Sequence, residues 1–556
     1  MVKPHNFDEI LVDYVGGFGW CQVSLLLFIG LFEVFTATTG LFHTLGGYRP
    51  NFRCRVPSCD GNDTAAPYHQ DWFNRTQEQD LWSNPQCELP IHLTGEPVSW
   101  CELDLQSPAL ENLQNLSTLP CQDWIFERVP FTETLATEFN LVCSKDTFVG
   151  MLGSLYMLGL LIGAVIGGCF SDKFGRKKVF MISAFLTGPL YFGQAFVPNY
   201  YTYAGLRLAC VVVSYLAAFG SFPLKLEMVS HQYRRYVMLL RDIQMTVGNL
   251  ILAGLAYYIR DWRILQMICA APLLLQPLLY FVIPESVSWL VSTGNYQGAV
   301  ETLKNAAKKN GKKNVDHDEA QLLISGMAQQ IEMDDKEKSP GCCQLLSQSK
   351  LRTNLVVMMF NWSAVTIAWY GLALNIDILS GDIIFNFTLM VLVDVPASLI
   401  GFLLLGCTGR KQAFILSQLG SGVACIASGL LSDPFLKTFI VYMDPSQLQN
   451  ILCFVGKFFA TMSFSVCYLF TMELFPTKVR STSLGTCSAL ARILGAATPY
   501  MKHLRLFWLP LPLVAMGAPS VLGALLVAFL PETRGRGLPE SAEQAVQMKR
   551  RTGKET

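Results

Sequence analysis

The stretch Gly168-Cys169-Phe170-Ser171-Asp172-Lys173-Phe174-Gly175-Arg176-Lys177-Lys178 gathers one carboxylate and four cations into eleven residues. Apolar runs flank it, 147–169 before and 177–197 after. Each is long enough to cross a bilayer as a helix, which takes roughly 20 residues. A chain that turns between two such runs on a knot of charge is turning at a membrane surface. Lys and Arg collect in loops on the cytoplasmic side, so the knot predicts the orientation as well as the class of protein.

Working outward, the same pattern recurs along the chain. Of the 556 residues, 51% are hydrophobic and only 15% charged, whereas a soluble domain carries about 25% charged residues. Twelve apolar stretches have spanning length: 19–42, 147–169, 177–197, 201–226, 236–258, 263–284, 354–377, 383–406, 412–432, 449–472, 482–501 and 507–531. Basic and acidic residues balance at 42 each, which argues against a nucleic-acid partner. Met1 to Gly17 reads as a polar leader without a cleavable signal pattern, so the first span is expected to stay in the membrane.

Segment 43–146, between the first two spans, is polar and acidic. It holds six of the 17 cysteines (Cys54, Cys59, Cys87, Cys101, Cys121 and Cys143) and three glycosylation sequons, at Asn62, Asn74 and Asn115. An even number of cysteines beside sequons fits an oxidised extracellular loop, with the pairing left open. Segment 285–352 is the second long polar break and carries Lys304, Lys308, Lys309, Lys312 and Lys313. It reads as a cytoplasmic linker between six spans and six spans. The expected organisation is a cytoplasmic N-terminus (1–18), an N-terminal six-helix bundle (19–284), the linker, a C-terminal bundle (353–531) and a cytoplasmic tail (532–556).

The two sets of six share punctuation in the same order. Gly175-Arg176-Lys177 follows span two, and Gly409-Arg410-Lys411 follows span eight. Glu227 with Arg234 closes span four, and Glu473 with Arg480 closes span ten. Pro284-Glu285 follows span six, and Pro531-Glu532 follows span twelve. An internal repeat of this kind points to a duplicated transporter fold. Charges placed where helix ends meet water can pair only in one placement of the helices. Asp172, Arg176, Lys177, Glu227, Arg234, Glu285, Glu473 and Arg480, with Gly175 at the turn, therefore form a candidate latch, or else they only anchor helix ends.

These motifs resemble the organic cation, organic anion and carnitine transporters, solute carrier family 22 of the major facilitator superfamily. The resemblance runs through Phe52-Arg53-Cys54, Asp172 to Lys178, Arg260-Asp261-Trp262-Arg263, Pro284-Glu285-Ser286 and Glu473-Leu474-Phe475-Pro476-Thr477. It implies an all-α membrane protein of twelve transmembrane helices in two six-helix bundles, transporting small organic ions by alternating access. One departure is visible: the family usually has Pro-Arg where this chain has Val287-Ser288.

Ionisable groups deep in a span are functional suspects. Arg492 in span eleven is the foremost. The resemblance implies that an arginine there accompanies anionic or carnitine-like substrates, and an acidic residue accompanies cations; a structural salt bridge is the alternative. Asp242 opens span five, either at the surface or reaching the cavity opposite Arg492. Glu33 in span one and Lys225 near the end of span four are further candidates, Glu33 for ion coupling or a neighbouring charge. Span seven offers the aromatic faces of Trp362 and Tyr370, which suit amphipathic organic ions or simple packing. In span eight Ser398 stands where anion transporters of the family often carry a lysine.

No phosphate-cradling glycine loop, zinc-spaced Cys/His cluster or nucleophile elbow is present, so neither an enzyme, a metal nor a cofactor is expected. The expected partners are a small organic ion and the bilayer, probed against the alternative of a receptor or scaffold that retains the fold without transport. The plasma membrane is the expected location.

Overall fold

The structure is a computed structural model describing residues 10–12, 14–61, 67–78, 84–91, 98, 101, 117–312, 317–336, 348–437 and 444–534. Each expected span has a helical counterpart. We label them α1 (Trp20–Gly40), α2 (Thr147–Phe174), α3 (Arg176–Gly193), α4 (Tyr200–Glu227), α5 (His231–Tyr258), α6 (Trp262–Ala270), α7 (Ser349–Leu374), α8 (Ile383–Leu392 continuing into Asp394–Cys407), α9 (Arg410–Leu430), α10 (Pro445–Leu474), α11 (Thr477–Gly495) and α12 (Leu511–Val527). Among the described residues nine helices are long and apolar enough to cross a membrane by length and composition, and α6 and α12 belong to shorter apolar helices.

Prolines explain where continuous spans break. Beyond Ala270, α6 tightens into a 3-10 segment, Ala271–Phe281, that contains Pro272 and Pro277. Each proline lacks the N–H that an α-helix would donate. The eleventh span likewise ends at Gly495 and continues as 3-10 turns over Thr498–Leu506, with Pro499 at its start. In α8 a turn at Val393, three residues before Pro396, separates the two helical pieces and puts Asp394 at the break. Polar side chains fix several helix starts. The Asn199 side chain accepts from Thr202 N at 2.9 Å, Asp261 from Arg263 N at 2.8 Å and Asp382 from Phe385 N at 2.7 Å.

Helix packing repeats between the halves. In the N-terminal half α1 packs on α5, α2 on α4, and α3 on α4 and on the continuation of α6. In the C-terminal half α7 packs on α11, α8 on α10, and α9 on α10 and α12. The halves meet through α2 against α11 and α5 against α8, a pair of contacts that the duplication relates to each other. Small residues let backbones approach. A Cβ on Gly220 would lie 2.7 Å from the Arg176 carbonyl, and one on Gly422 would lie 2.8 Å from the Gly517 carbonyl.

The segment after α1 is a small disulfide-bonded unit. Strands β1 (Phe52–Cys54), β2 (Glu88–Ile91), β3 (Ser117–Pro120) and β4 (Trp124–Phe126) form two antiparallel pairs, β1 with β4 and β2 with β3. Three disulfides join Cys54 to Cys121, Cys59 to Cys101 and Cys87 to Cys143, which resolves the pairing. At its centre Arg53 binds both Asp60 oxygens at 2.8 Å, fully buried, with its guanidinium 4.8 Å from the Trp72 ring. Asn74 lies exposed on the helix Asp71–Glu78, whereas the sequons at Asn62 and Asn115 lie outside the described residues.

At the opposite end the linker folds against the N-terminal half. Helices Val287–Ser292, Tyr296–Lys309 and His317–Lys336 cover Ile10, Leu11, Tyr14 and Val15, which are buried. The stretch read as a polar leader thus contributes apolar side chains to a core. Asn310 is the clasp. Its Oδ1 accepts from Cys21 N at 2.8 Å, and its Nδ2 donates to Val15 O and Gln22 Oε1 at 3.0 Å. The two faces of the bundle are called below the disulfide end and the linker end.

Candidate functional site

The linker end carries the same charge cluster twice. In the N-terminal half Arg176 Nη1 lies 2.8 Å from Asp172 Oδ1, and Nη2 lies 3.5 Å from Glu227 Oε1. The Ser286 hydroxyl donates to the other Glu227 oxygen. Glu285 accepts from the Lys177 and Ser286 amides at 2.9 and 3.0 Å, which caps the start of α3. In the C-terminal half Arg410 Nε meets both Glu473 oxygens at 3.2 Å, and Thr533 Oγ1 donates to Glu473 at 2.5 Å. Glu532 accepts from the Arg410 and Lys411 amides at 2.9 and 3.2 Å. With Arg410 Nη1 donating to Leu405 O of α8 at 3.0 Å, each cluster staples four helix ends within one half.

Glu227 and Glu473 bind the arginines that open α3 and α9, not Arg234 and Arg480. Arg234 Nε instead donates to Leu226 O at 3.2 Å. Arg480 holds Nε and Nη2 buried without a hydrogen-bond partner among the described residues. Asp172, by contrast, has a side chain that is 75% exposed and so can accept a further partner. The glycines are required by the carboxylates. A Cβ on Gly175 would lie 2.7 Å from Glu285 Oε2, and one on Gly409 would collide with Glu532.

Midway along the helices a second set of groups converges between the halves. Arg492 of α11 donates from Nη2 to the Tyr215 hydroxyl of α4, and from Nη1 to Ser488 Oγ at 2.6 Å. Its guanidinium lies 5.0 Å from the Tyr215 ring. Tyr468 and Tyr370 lie within electrostatic reach of it. Tyr156 of α2 faces Tyr370 of α7 across the interface, with ring centroids 6.4 Å apart. No carboxylate pairs with Arg492 among the described residues, so the salt-bridge alternative is not what the fold builds. Hydroxyls rather than carboxylates therefore neighbour the half-buried guanidinium among the described residues.

The other candidates resolve differently. Lys225 Nζ lies 2.6 and 2.7 Å from the two Glu33 oxygens, with side chains 1% and 5% exposed, so these two satisfy each other. Asp242 does not open α5. The helix starts at His231, and Asp242 lies three turns in, within electrostatic reach of Arg241, Asp394, Glu33 and Lys225 rather than bonded to Arg492. Trp362 is buried and donates its indole N–H to Thr471 Oγ1 at 2.9 Å, with its ring 4.5 Å edge-on to Tyr468. It supports the tyrosine and is turned into its own half.

Three buried charges escaped the sequence reading. Lys457 Nζ of α10 lies 3.5 Å from Asp394 Oδ1 of α8 and 3.3 Å from the Trp369 ring centroid. Thr461 Oγ1 donates to the same Asp394 oxygen at 2.5 Å and accepts from Trp369 Nε1 at 3.0 Å. Arg207 of α4 is fully buried and donates to the Thr39 and Gly40 carbonyls at 2.9 and 2.6 Å, beside His43 Nδ1 at 2.9 Å. It thus seats a cation at the C-terminus of α1, the end that favours positive charge. All three lie in apolar runs, and the rule that singled out Glu33 and Arg492 would have found them.

Comparison with known proteins now adds to this geometry. Residues 108–545 match the family model described as "Sugar (and other) transporter". The chain is 31% identical to solute carrier family 22 member 2 of Oryctolagus cuniculus, over 98% of this chain and 96% of that one. It is 30% identical to an organic cation transporter protein of Drosophila melanogaster, over 97% and 94%. Among solved structures it superposes on the proton:xylose symporter XylE bound to 6-bromo-6-deoxy-D-glucose. That match has a TM-score of 0.55 at 18% identity and covers 75% of this chain and 93% of that one. The inward-open form of the Escherichia coli xylose transporter XylE matches with a TM-score of 0.56 at 19% identity, over 71% and 88%. These two carry the fold, that of the major facilitator superfamily.

Proposed function

The chain belongs to the sugar (and other) transporter family and within it to solute carrier family 22, and we propose that it moves organic anions or carnitine-like zwitterions by alternating access. The observation that carries the substrate class is Arg492. A guanidinium held between the halves by Tyr215 and Ser488, with hydroxyls for neighbours, is a seat for a substrate carboxylate or sulfate. The tyrosines around it supply apolar faces for the organic part. Asp242 on α5, which forms no ion pair at bonding distance among the described residues and lies within electrostatic reach of Arg241 and Lys225, is the candidate for the cationic end of a zwitterion.

The disulfide end faces the extracellular space in this reading, because disulfides persist in oxidising compartments, and the lysine-rich linker and both termini face the cytoplasm. The plasma membrane follows as the site of action. The two linker-end clusters keep each half rigid while the halves rock about the midplane. Closure of the linker end would offer a carboxylate to Arg480, whose Nε and Nη2 have no hydrogen-bond partner among the described residues.

A second reading, transport of organic cations, draws on the similarity to an organic cation transporter protein and on Asp242. Uptake by the purified protein in liposomes separates the readings. Labelled anions, zwitterions and quaternary ammonium ions are compared for the wild type, Arg492→Ala and Arg492→Asp. Loss of one charge-assisted contact to substrate predicts that Arg492→Ala lowers anion and zwitterion uptake roughly ten- to hundred-fold. Arg492→Asp should gain cation uptake. Unchanged uptake of every anion and zwitterion by Arg492→Ala would remove the substrate assignment. Ligand binding without accumulation of any ion would favour a receptor.

A further inference from the structure

On the outer surface of the N-terminal half, α3 and the 3-10 segment that continues α6 enclose a groove of about 410 Å³. The two segments touch backbone to backbone farther along, where a Cβ on Gly188 would lie 2.8 Å from the Leu273 carbonyl. Toward the linker end they leave a channel walled by Ile182, Phe185, Leu186 and Pro277. Ile182 and Phe185 are more than half exposed, which for a helix in a bilayer means facing lipid. A 3-10 segment is slimmer than an α-helix and leaves a gap beside a neighbour of ordinary width.

The linker end of the groove is polar and basic. Lys178 and Tyr280 line it there. Lys177 is already committed, with its Nζ 4.2 Å from the Tyr280 ring centroid, and Arg176 is engaged by Asp172 and Glu227. Lys178 is exposed and has no ion-pair or hydrogen-bond partner among the described residues. An apolar slot open to the bilayer, closed at the headgroup level by an unpaired ammonium and a phenol, has the charge and shape of an amphiphilic anion.

We propose that this groove binds an anionic phospholipid of the linker-side leaflet, with an acyl chain in the slot and the headgroup phosphate on Lys178. The lysines of the linker and of the Lys173–Lys178 turn place that leaflet at the cytoplasm, where anionic lipids concentrate. The lipid would complete the α3–α6 contact that the 3-10 segment leaves open. The inference rests on the membrane placement and not on the substrate assignment, so the two fail separately.

The test is photolabelling of the full-length protein in liposomes. Phosphatidylserine and phosphatidylcholine analogues carry the same photoactivatable chain, and labelled peptides are mapped. Phosphatidylserine is expected to label the Lys178–Leu186 and Pro277–Tyr280 peptides several-fold above phosphatidylcholine. Lys178→Ala should lower that labelling about five-fold, the contribution of one lysine at an anionic surface, and Lys178→Arg should keep it. Ile182→Trp, which fills the slot, should reduce labelling by both lipids. Equal labelling by the two lipids, or a preference that survives Lys178→Ala, would overturn the proposal. Competition by soluble glycerophosphoserine as effective as that of the lipid would also overturn it, since the acyl chain would then play no part.

Discussion

At the scale of the residue, the membrane interior makes every charge consequential. Glu33 and Lys225 show how far a sequence can go. Each is recognisable as an isolated charge in an apolar helix, yet nothing in their spacing, 192 residues apart, says that they meet. Truncating one partner strands the other in a buried site, with its hydrogen-bonded counter-ion gone. Glu33→Ala should therefore lower stability by about 3–5 kcal/mol, read as thermal unfolding of the purified protein. The double change Glu33→Leu with Lys225→Met should recover most of that loss, because well-packed apolar groups avoid the desolvation penalty altogether. If the double variant is no more stable than the single one, Glu33 has a role beyond pairing, and ion coupling becomes the stronger account. Asp394, Lys457 and Arg207 teach the complementary lesson. They were legible by the same rule, but short apolar runs with one internal charge read easily as ordinary spans.

At the scale of the element, turn chemistry was legible and helix continuity was not. Gly175 stands between α2 and α3 with φ at +102°, a conformation that L side chains rarely adopt, and its missing Cβ leaves room for Glu285. Gly409 makes the same close approach to Glu532 with an ordinary φ of −69°. Alanine at Gly175 should therefore cost more than alanine at Gly409. A forced positive φ adds about 1–3 kcal/mol, whereas a carboxylate side chain can swing aside. Paired unfolding measurements on the two variants check this; equal losses would mean that the backbone at Gly175 relaxes. The breaks in α6, α8 and α11 follow from prolines that were visible in the sequence. Apolar runs of spanning length masked them, because hydropathy reports burial in lipid and is blind to hydrogen-bond pattern.

At the scale of the whole molecule, the halves are locked at the disulfide end. Ser154 Oγ of α2 donates to Ala496 O at 2.6 Å, and a Cβ on Gly153 would lie 2.6 Å from Pro499 Cγ. A Cβ on Gly150 would lie 3.0 Å from the Tyr500 ring. Asp146 adds a polar link, with Arg49 at 2.6 Å and His503 at 3.8 Å. Gly153→Val should wedge this contact open. The expected outcome is a fall in transport with substrate binding retained, together with increased labelling of a cysteine introduced at Ser154 by a thiol reagent applied from the disulfide side. Retained transport with unchanged labelling would show that the close approach at Gly153 is incidental to the cycle.

By itself the sequence determined that the chain is a duplicated bundle of twelve spans, where its turns fall, and that Glu33 and Arg492 lie deep in apolar runs. Those features are local: hydropathy over a span, a glycine at a turn, a basic run at a helix end. Only the tertiary structure decided which charges neutralise each other and which remain available. Glu227 went to Arg176, Glu33 to Lys225 and Asp394 to Lys457, leaving Arg492 among hydroxyls. Partnership between charges depends on helix rotation and on contacts between distant segments, and no periodicity within one span encodes either.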